Sequence, residues 1–376
     1  MATILHVSQP VEEGVGRYVA TVCAGLQQLG WSVHVASPSR GLWADQDPPL
    51  WSFLRGSGVE IHEWKAVRSL GPQLLRETRD LASIVRRIDP ALVHLHSAKA
   101  GLAGRLVRPV RPIVFQPHAW SFDAATGPLR TAALLWERHA ARRTDTVVCV
   151  SEAERAAGML AGLSPTWELI PNGVDPRVWT EADTEERSRC RMSLDIDPDT
   201  PVALCVGRPS RQKGHDVLLE AWEIVANRAP SARLFVVGDG PERSALAATA
   251  GPSVTFVGNR EDVPAWLAAA NVTVLPSRWE GMSLAMLEAM ARGRSVVTTD
   301  VSGAREAIGD VAGAIVPIED VHGLAAALIA RLTNEVLAQK EGRAGRSRIE
   351  KTFNTGRVLD QLGALYRRLL SPTNQA

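Results

Sequence analysis

The chain has 376 residues, 42 lysines and arginines against 41 acids for a formal charge of +1, and 45% hydrophobic against 22% charged residues. That length exceeds one ordinary domain and suits two, each able to bury its own core. The near-zero charge argues against a nucleic-acid binder working through a phosphate footprint, and no apolar run approaches the roughly 18 residues of a membrane span.

The chain opens on a βαβ pattern: Ala2 to Val7 is apolar, Gly14 to Leu29 has helical period, and Trp31 to Ala36 is apolar again. Without a basic leader or cleavage site, the apolar start reads as a first strand and not as a signal peptide, and a cytoplasmic protein is the expectation. Cys23, Cys149, Cys190 and Cys205 show neither close pairing nor metal spacing, as befits a reducing compartment. Gly14 and Gly16 in the first strand-to-helix turn invite a dinucleotide reading. No third glycine follows, and Ala36-Ser37-Pro38 offers no acid for a ribose, so an NAD site is rejected. Residues 40 to 57 read as a long loop. Trp31, Trp43, Trp51 and Trp64 crowd this region, with core packing the simplest role for each.

Pro72 to Ile88 reads as a helix with Arg76, Arg79, Arg86 and Arg87 on one side, either a solvated face or one turned to an anionic membrane. His94 and His96 share a strand face, but no third ligand stands near them in sequence, so no metal site is expected. The strand Arg111 to Gln116 delivers His118 to its C-terminal end, where ligands sit in open parallel sheets. Ser151, followed by Glu152 and Glu154, is a helix N-cap with acids in the first turn. Trp167 to Ile170 closes the first domain, and the polar run from Glu181 to Thr200 reads as an interdomain linker. Asp195, Asp197 and Asp199 alternate there without the glycine and glutamate of a calcium loop, so they read as solvated acids.

The second half starts on the strand Val202 to Val206. Arg208 and Lys213 follow among glycines, where two fixed cations can clasp a diphosphate or simply sit on the surface. After the strands Arg233 to Val237 and Val254 to Val257, glycine turns permit close approach to a flat nucleobase, with Arg260 over its face; ordinary turns would look alike. A further strand ends at Leu275, and a helix is expected from Ser283 to Arg292. Gly281, Met282, Ser283 and Leu284 then form an anion cradle at the helix start. Glu280 and Glu288 flank it about 12 Å apart along a helix axis, close to the hexose-to-ribose separation of a nucleotide sugar. Each carboxylate can accept from a diol. A surface helix with an acid at each end fits the spacing equally well.

EGMSLAMLEAMARG, with Glu280 and Glu288, resembles the paired-glutamate signature of glycosyltransferase family 4, a retaining group with the GT-B fold. HSAKAGLAGRL, PHAWSF and VSEAERAAG resemble other parts of the same family, although Ala119 stands where its His-Gly-Trp-like motif has glycine. The resemblance covers nearly the whole chain. It implies an α/β protein with two Rossmann-like domains facing across a cleft. Residues 1–175, completed by a C-terminal helix at 357–376, would be the acceptor side; 176–200 would be a linker and 201–356 the nucleotide-sugar domain. It further implies catalytic roles for His118, Arg208, Lys213 and Glu280, a ribose contact for Glu288, and donor contacts for Gly14 and Gly16. Ser97, Lys99 and Trp120 fall on the acceptor side. The implied reaction moves a hexosyl unit, with retention, from a UDP or GDP sugar to a glycan, lipid-linked or small-molecule hydroxyl. Neither cofactor nor metal is implied, and peripheral contact with the inner membrane face stays open. Two rivals remain: a nucleotide-sugar epimerase on the same fold, separated by isomerisation without acceptor, and a silent sugar-nucleotide-binding scaffold. The scaffold would be expected to lack one of Glu280, Arg208, Lys213 or Glu288, and none is missing.

Overall fold

In the computed structural model the described residues are 2–11, 13–38, 49–67, 69, 71–107 and 111–371. The chain divides into two compact units, residues 1–172 with 355–376, and residues 173–354.

Unit 1 carries a parallel sheet of seven strands: β1 (Thr3–Ser8), β2 (Ser32–Ser37), β3 (Glu60–Glu63), β4 (Leu92–His96), β5 (Ile113–Gln116), β6 (Thr146–Cys149) and β7 (Trp167–Leu169), in the order β3-β2-β1-β4-β5-β6-β7. Unit 2 repeats the scheme with β8 (Val202–Val206), β9 (Arg233–Val237), β10 (Val254–Gly258), β11 (Val272–Leu275), β12 (Ser295–Thr299) and β13 (Gly313–Val316), in the order β10-β9-β8-β11-β12-β13. Strands such as Val-Ala-Leu-Cys-Val, apolar throughout, and Val-Thr-Val-Leu, apolar but for Thr273, are fully buried, as they must be when helices cover both faces of a parallel sheet. In each sheet the strand order reverses once, between β1 and β4 and between β8 and β11. Crevices at such reversals, beyond the strand C-termini, are where open α/β sheets hold ligands.

The segment expected to be a linker is instead structured and part of unit 2. Asp183 caps a helix at Thr184–Ser193 by accepting from the Glu186 amide at 2.7 Å. Its buried Arg191 donates to the carbonyls of Ala269, Asp197, Pro198 and Thr200 and to Asn271 Oδ1. A polar sequence without apolar periodicity hid this helix, because one arginine and not an apolar stripe docks it. The expected loop at 40–57 is also revised: Pro49–Gly56 is a helix, while 39–48, with Trp43, lie outside the described residues. Trp51 and Trp64 are buried core. The last helix, Thr355–Leu370, buries Val358, Leu362, Leu365 and Tyr366 at helical spacing within unit 1. Among the described residues no helix is long and apolar enough to cross a membrane.

Candidate functional site

In unit 2 the loops leaving β8 and β11 are pressed together at the strand-order reversal. Gly214 makes this possible: its φ is +64°, and a Cβ there would lie 2.1 Å from the Pro276 carbonyl oxygen. The same turn (Arg211–Lys213, then helix His215–Arg228) aims Lys213 at Glu280, with Nζ 2.5 Å from Oε1. Ser277 Oγ donates to that same carboxylate oxygen at 2.9 Å, and Thr299 Oγ1 donates to the Ser277 carbonyl. Gln212 ties the two loops again, its side chain donating to the Trp279 carbonyl at 3.0 Å and its own carbonyl accepting from the Arg278 amide at 2.7 Å. Beneath them the Arg278 guanidinium forks onto Asp216 at 2.9 and 2.7 Å and reaches Glu319 and the Arg211 carbonyl. The Arg278 fork holds the Asp216 carboxyl below its ordinary range.

Arg208 is half-buried at the exit of β8. The loop after β9 packs against that exit, since a Cβ on Gly238 would lie 2.3 Å from the Gly207 carbonyl oxygen. The helix expected at Ser283–Arg292 spans Leu284–Ala291, with Ser283 as N-cap residue in extended conformation and no capping bond from its hydroxyl. Gly281 and Met282 are buried just ahead of it, and Glu288, one turn in, is 3% exposed. Lys213, Glu280, Arg208 and the helix start therefore gather at one sheet edge, beyond the ends of β8 and β11. Arg260, expected over a nucleobase, lies exposed after β10. It is held in a two-point fork by Asp262 at 2.8 and 2.6 Å and lies 6.0 Å above the Trp266 ring.

In unit 1 the corresponding edge holds His118, which follows β5 with a left-handed φ of +60° and is half-buried. Its Nε2 meets His96 Nδ1 at 3.1 Å, and the Tyr18 ring stands edge-on 4.9 Å away. Gly14 and Gly16 lie in the first turn of helix Glu13–Gln28; a Cβ on Gly16 would sit 2.2 Å from the Val11 carbonyl oxygen, while the space around Gly14 is open. Ser97 begins helix Ser97–Val107 at φ +68°. Two acceptor-side expectations are overturned. Lys99 is buried, paired with Glu77 at 2.7 Å and donating to the Ser69 carbonyl at 2.9 Å, so its charge is committed inside the unit. Trp120 is 1% exposed, stacked on Phe122 and donating to the Glu154 carbonyl, so it is core.

The sequence reading missed Ser277, Gln212 and Arg278, and it missed His6. Parallel pairing sets His6 directly beside His94 in the β1–β4 register, across 88 residues of chain. Ser277 finds Glu280 within its own loop, whereas Gln212 and Arg278 find partners only because β8 pairs with β11.

Two doubly wound parallel sheets, with a cation and a carboxylate joined at the reversal of one of them, define an α/β enzyme of the GT-B fold. The family model described as Glycosyltransferase Family 4 matches residues 13–178, and that described as Glycosyl transferases group 1 matches residues 200–334. The chain belongs to this family of glycosyltransferases and is a hexosyltransferase. It is similar to the alpha-maltose-1-phosphate synthase of Mycolicibacterium smegmatis, 27% identical over 388 aligned positions covering 95% of each chain. A GDP-mannose-dependent monoacylated alpha-(1-6)-phosphatidylinositol monomannoside mannosyltransferase of Corynebacterium glutamicum is 34% identical over 205 residues, 51% of this chain and 54% of the relative. Among solved structures, sucrose-phosphate synthase from Thermosynechococcus elongatus superposes with a TM-score of 0.82 at 23% identity, covering 98% of this chain and 99% of that one. Anabaena HepE in complex with UDP and glucose gives a TM-score of 0.82 at 20% identity over 98% of this chain and all of that one.

Proposed function

We propose that the enzyme takes its hexosyl unit from a nucleoside diphosphate sugar, UDP or GDP, and passes it with retained anomeric configuration to a hydroxyl of a glycan or lipid-linked acceptor. The observation that carries this reading is the contact of Lys213 Nζ with Glu280 Oε1 at 2.5 Å, at the strand-order reversal of unit 2. A cation and an acceptor so close together suit ligand atoms that are also adjacent. The junction of phosphate and sugar has that character, an anionic oxygen beside a hydroxyl donor.

In this scheme Lys213 and Arg208 clasp the diphosphate, helped by the positive end of helix Leu284–Ala291. Negative charge builds on the leaving phosphate as the glycosidic bond breaks, so these fixed cations stabilise the transition state more than the ground state. Glu280 accepts from the sugar hydroxyls and Glu288 from the ribose. His118 contacts the reacting sugar. The acceptor hydroxyl enters on the face the phosphate leaves, and its proton passes to the departing phosphate oxygen. That path retains configuration without a nucleophilic carboxylate, and in it Lys213 and Arg208 supply the positive charge that a divalent ion would otherwise bring. Names of the relatives support both donor bases and both acceptor classes: GDP-mannose with a phosphatidylinositol mannoside in one, UDP-galactose with a diphosphoundecaprenol-linked sugar in another.

The test is transfer from a UDP-sugar or GDP-sugar in EDTA, with the anomeric configuration of the product read by NMR. An α-linked product from an α-linked donor is expected. Inversion, or activity that returns only with Mn²⁺ or Mg²⁺, contradicts the scheme.

A further inference from the structure

Histidines meet in two places in unit 1. His6, His94 and His96 form one group and His34, Glu60 and His62 the other, and in each group one ligand atom per residue lies within 4.8 Å of the rest. A shared metal ion needs lone pairs that converge on a point about 2.0 to 2.1 Å from each nitrogen. The paired rings His6–His96 and His34–His62 do not converge on such a point. His6 Nδ1 and His96 Nε2 are 3.0 Å apart, with ring centroids 5.2 Å apart and planes 9° from parallel. His96 Nδ1 and His118 Nε2 are 3.1 Å apart with centroids at 5.4 Å, and His34 Nδ1 and His62 Nε2 are 2.9 Å apart with centroids at 5.2 Å. In all three pairs the centroid separation exceeds the nitrogen separation by about 2.2 to 2.3 Å, roughly two ring radii, so the nitrogens point head-on as in a straight hydrogen bond. An ion accepting both lone pairs on such a line would stand about 1.5 Å from each, shorter than any metal bond. The geometry is that of N–H···N hydrogen bonding.

His6, His96 and His118 are thus links of one chain. Burial pushes His6 and His118 down to about 3 and His96 well below its ordinary value, so all three rings are neutral near neutral pH. A neutral ring carries one proton, which leaves only two orderings: every ring protonated on Nδ1, or every ring on Nε2. The inner end of the chain decides between them. Among the described residues His6 Nε2 is buried without a hydrogen-bond partner. The Nε2 ordering strands an N–H there and the Nδ1 ordering a lone pair; we take the second as the milder fault, by analogy with the main chain, where buried N–H groups are left unpaired less often than buried acceptors. We propose that the chain runs His6 Nδ1–H to His96, and His96 Nδ1–H to His118, and so fixes His118 as a donor through its own Nδ1–H. His6 and His96 are then positioning residues. The proposal rests on the reading that His118 meets the reacting sugar, to which it adds a direction: His118 gives a hydrogen bond to a sugar oxygen and does not act as a base. Tyr18, held by Gln116 Nε2 at 3.1 Å from its hydroxyl, steadies the ring from the side.

The experiment is two-bond ¹H–¹⁵N correlation NMR on the full chain labelled with ¹⁵N-histidine, which reads the tautomer of each ring, with His118 assigned from a His118→Ala sample. Wild type should show His118 protonated on Nδ1. His96→Gln places an amide near the former Nε2 and withdraws the partner from His118; the Nε2–H tautomer should then take over, and kcat should fall about tenfold with the donor KM within about twofold, the effect of one hydrogen bond. His96→Asn puts an amide donor where Nδ1–H stood and should restore both the tautomer and the rate. A wild-type His118 protonated on Nε2 overturns the proposal, as does a tautomer that His96→Gln leaves unmoved. Full transfer activity in His118→Ala beside the expected wild-type tautomer would remove the sugar contact from the functional reading and leave the chain standing.

Discussion

Glu280 and Glu288 differ in their surroundings, and this separates their expected effects. Glu280 shares one oxygen between Lys213 and Ser277 at the loop junction, while Glu288 is buried within helix Leu284–Ala291. Ribose is gripped equally in ground and transition states, whereas the grip on the sugar tightens as the ring flattens. Steady-state kinetics should therefore show Glu288→Ala raising the donor KM, and Glu280→Ala lowering kcat, each by about 10- to 100-fold for one charge-assisted bond. Equal effects on both parameters in both variants would contradict the assignment. The buried histidines make a second expectation. Burial holds His6 at about 3 and His215 at about 4 against an ordinary 6.5, so between those values the unfolded chain binds more protons than the folded one. The stability of the neutral rings is then complete above about 6.5 and is lost as pH falls from there toward 3. Thermal unfolding from pH 7.5 to 4.5 should show Tm dropping below about pH 6.5; a flat profile would show that these rings stay accessible to water.

At the level of elements, the β8 and β11 exit loops act as one unit because Gly214 lets them touch. Gly214→Ala adds a left-handed alanine, at a cost of about 1 to 2 kcal/mol, and forces a Cβ into the Pro276 carbonyl. Melting should fall, and donor-induced stabilisation should fall with it as Lys213 leaves Glu280. An alanine variant with wild-type donor response would separate the loop contact from binding. Much at this scale was legible in the sequence: the strand ending at Leu275 and the helix expected at 283–292 appear at Val272–Leu275 and Leu284–Ala291, because apolar runs and a glycine-bearing turn are local signals. Helix Thr184–Ser193 was not legible, since its anchor is Arg191 reaching carbonyls as far along the chain as Ala269. Lys99 was misassigned for a similar reason: its partner Glu77 is brought by another helix, and a buried ion pair looks in sequence like a solvated cation.

At the scale of the whole chain, the two Rossmann-type strand orders follow from alternating strand and helix signals, and right-handed crossovers leave few other ways to lay parallel strands. The chemistry was legible where a single motif carries it, as in Glu280 to Glu288. It was not where sheet register assembles it, as with His6 beside His94 or Gln212 beside Trp279. The central claim is that a nucleotide sugar binds at the strand-order reversal of unit 2 through Lys213 and Arg208. Thermal shift over UDP-, GDP- and ADP-sugars in EDTA, on wild type and on Lys213→Ala, tests it directly. One donor class should raise the wild-type melting temperature, by an amount equivalent to about 2.7 kcal/mol at a hundred times Kd, and Lys213→Ala should lose most of that shift. No shift with any donor, or an undiminished shift in Lys213→Ala, would contradict the account.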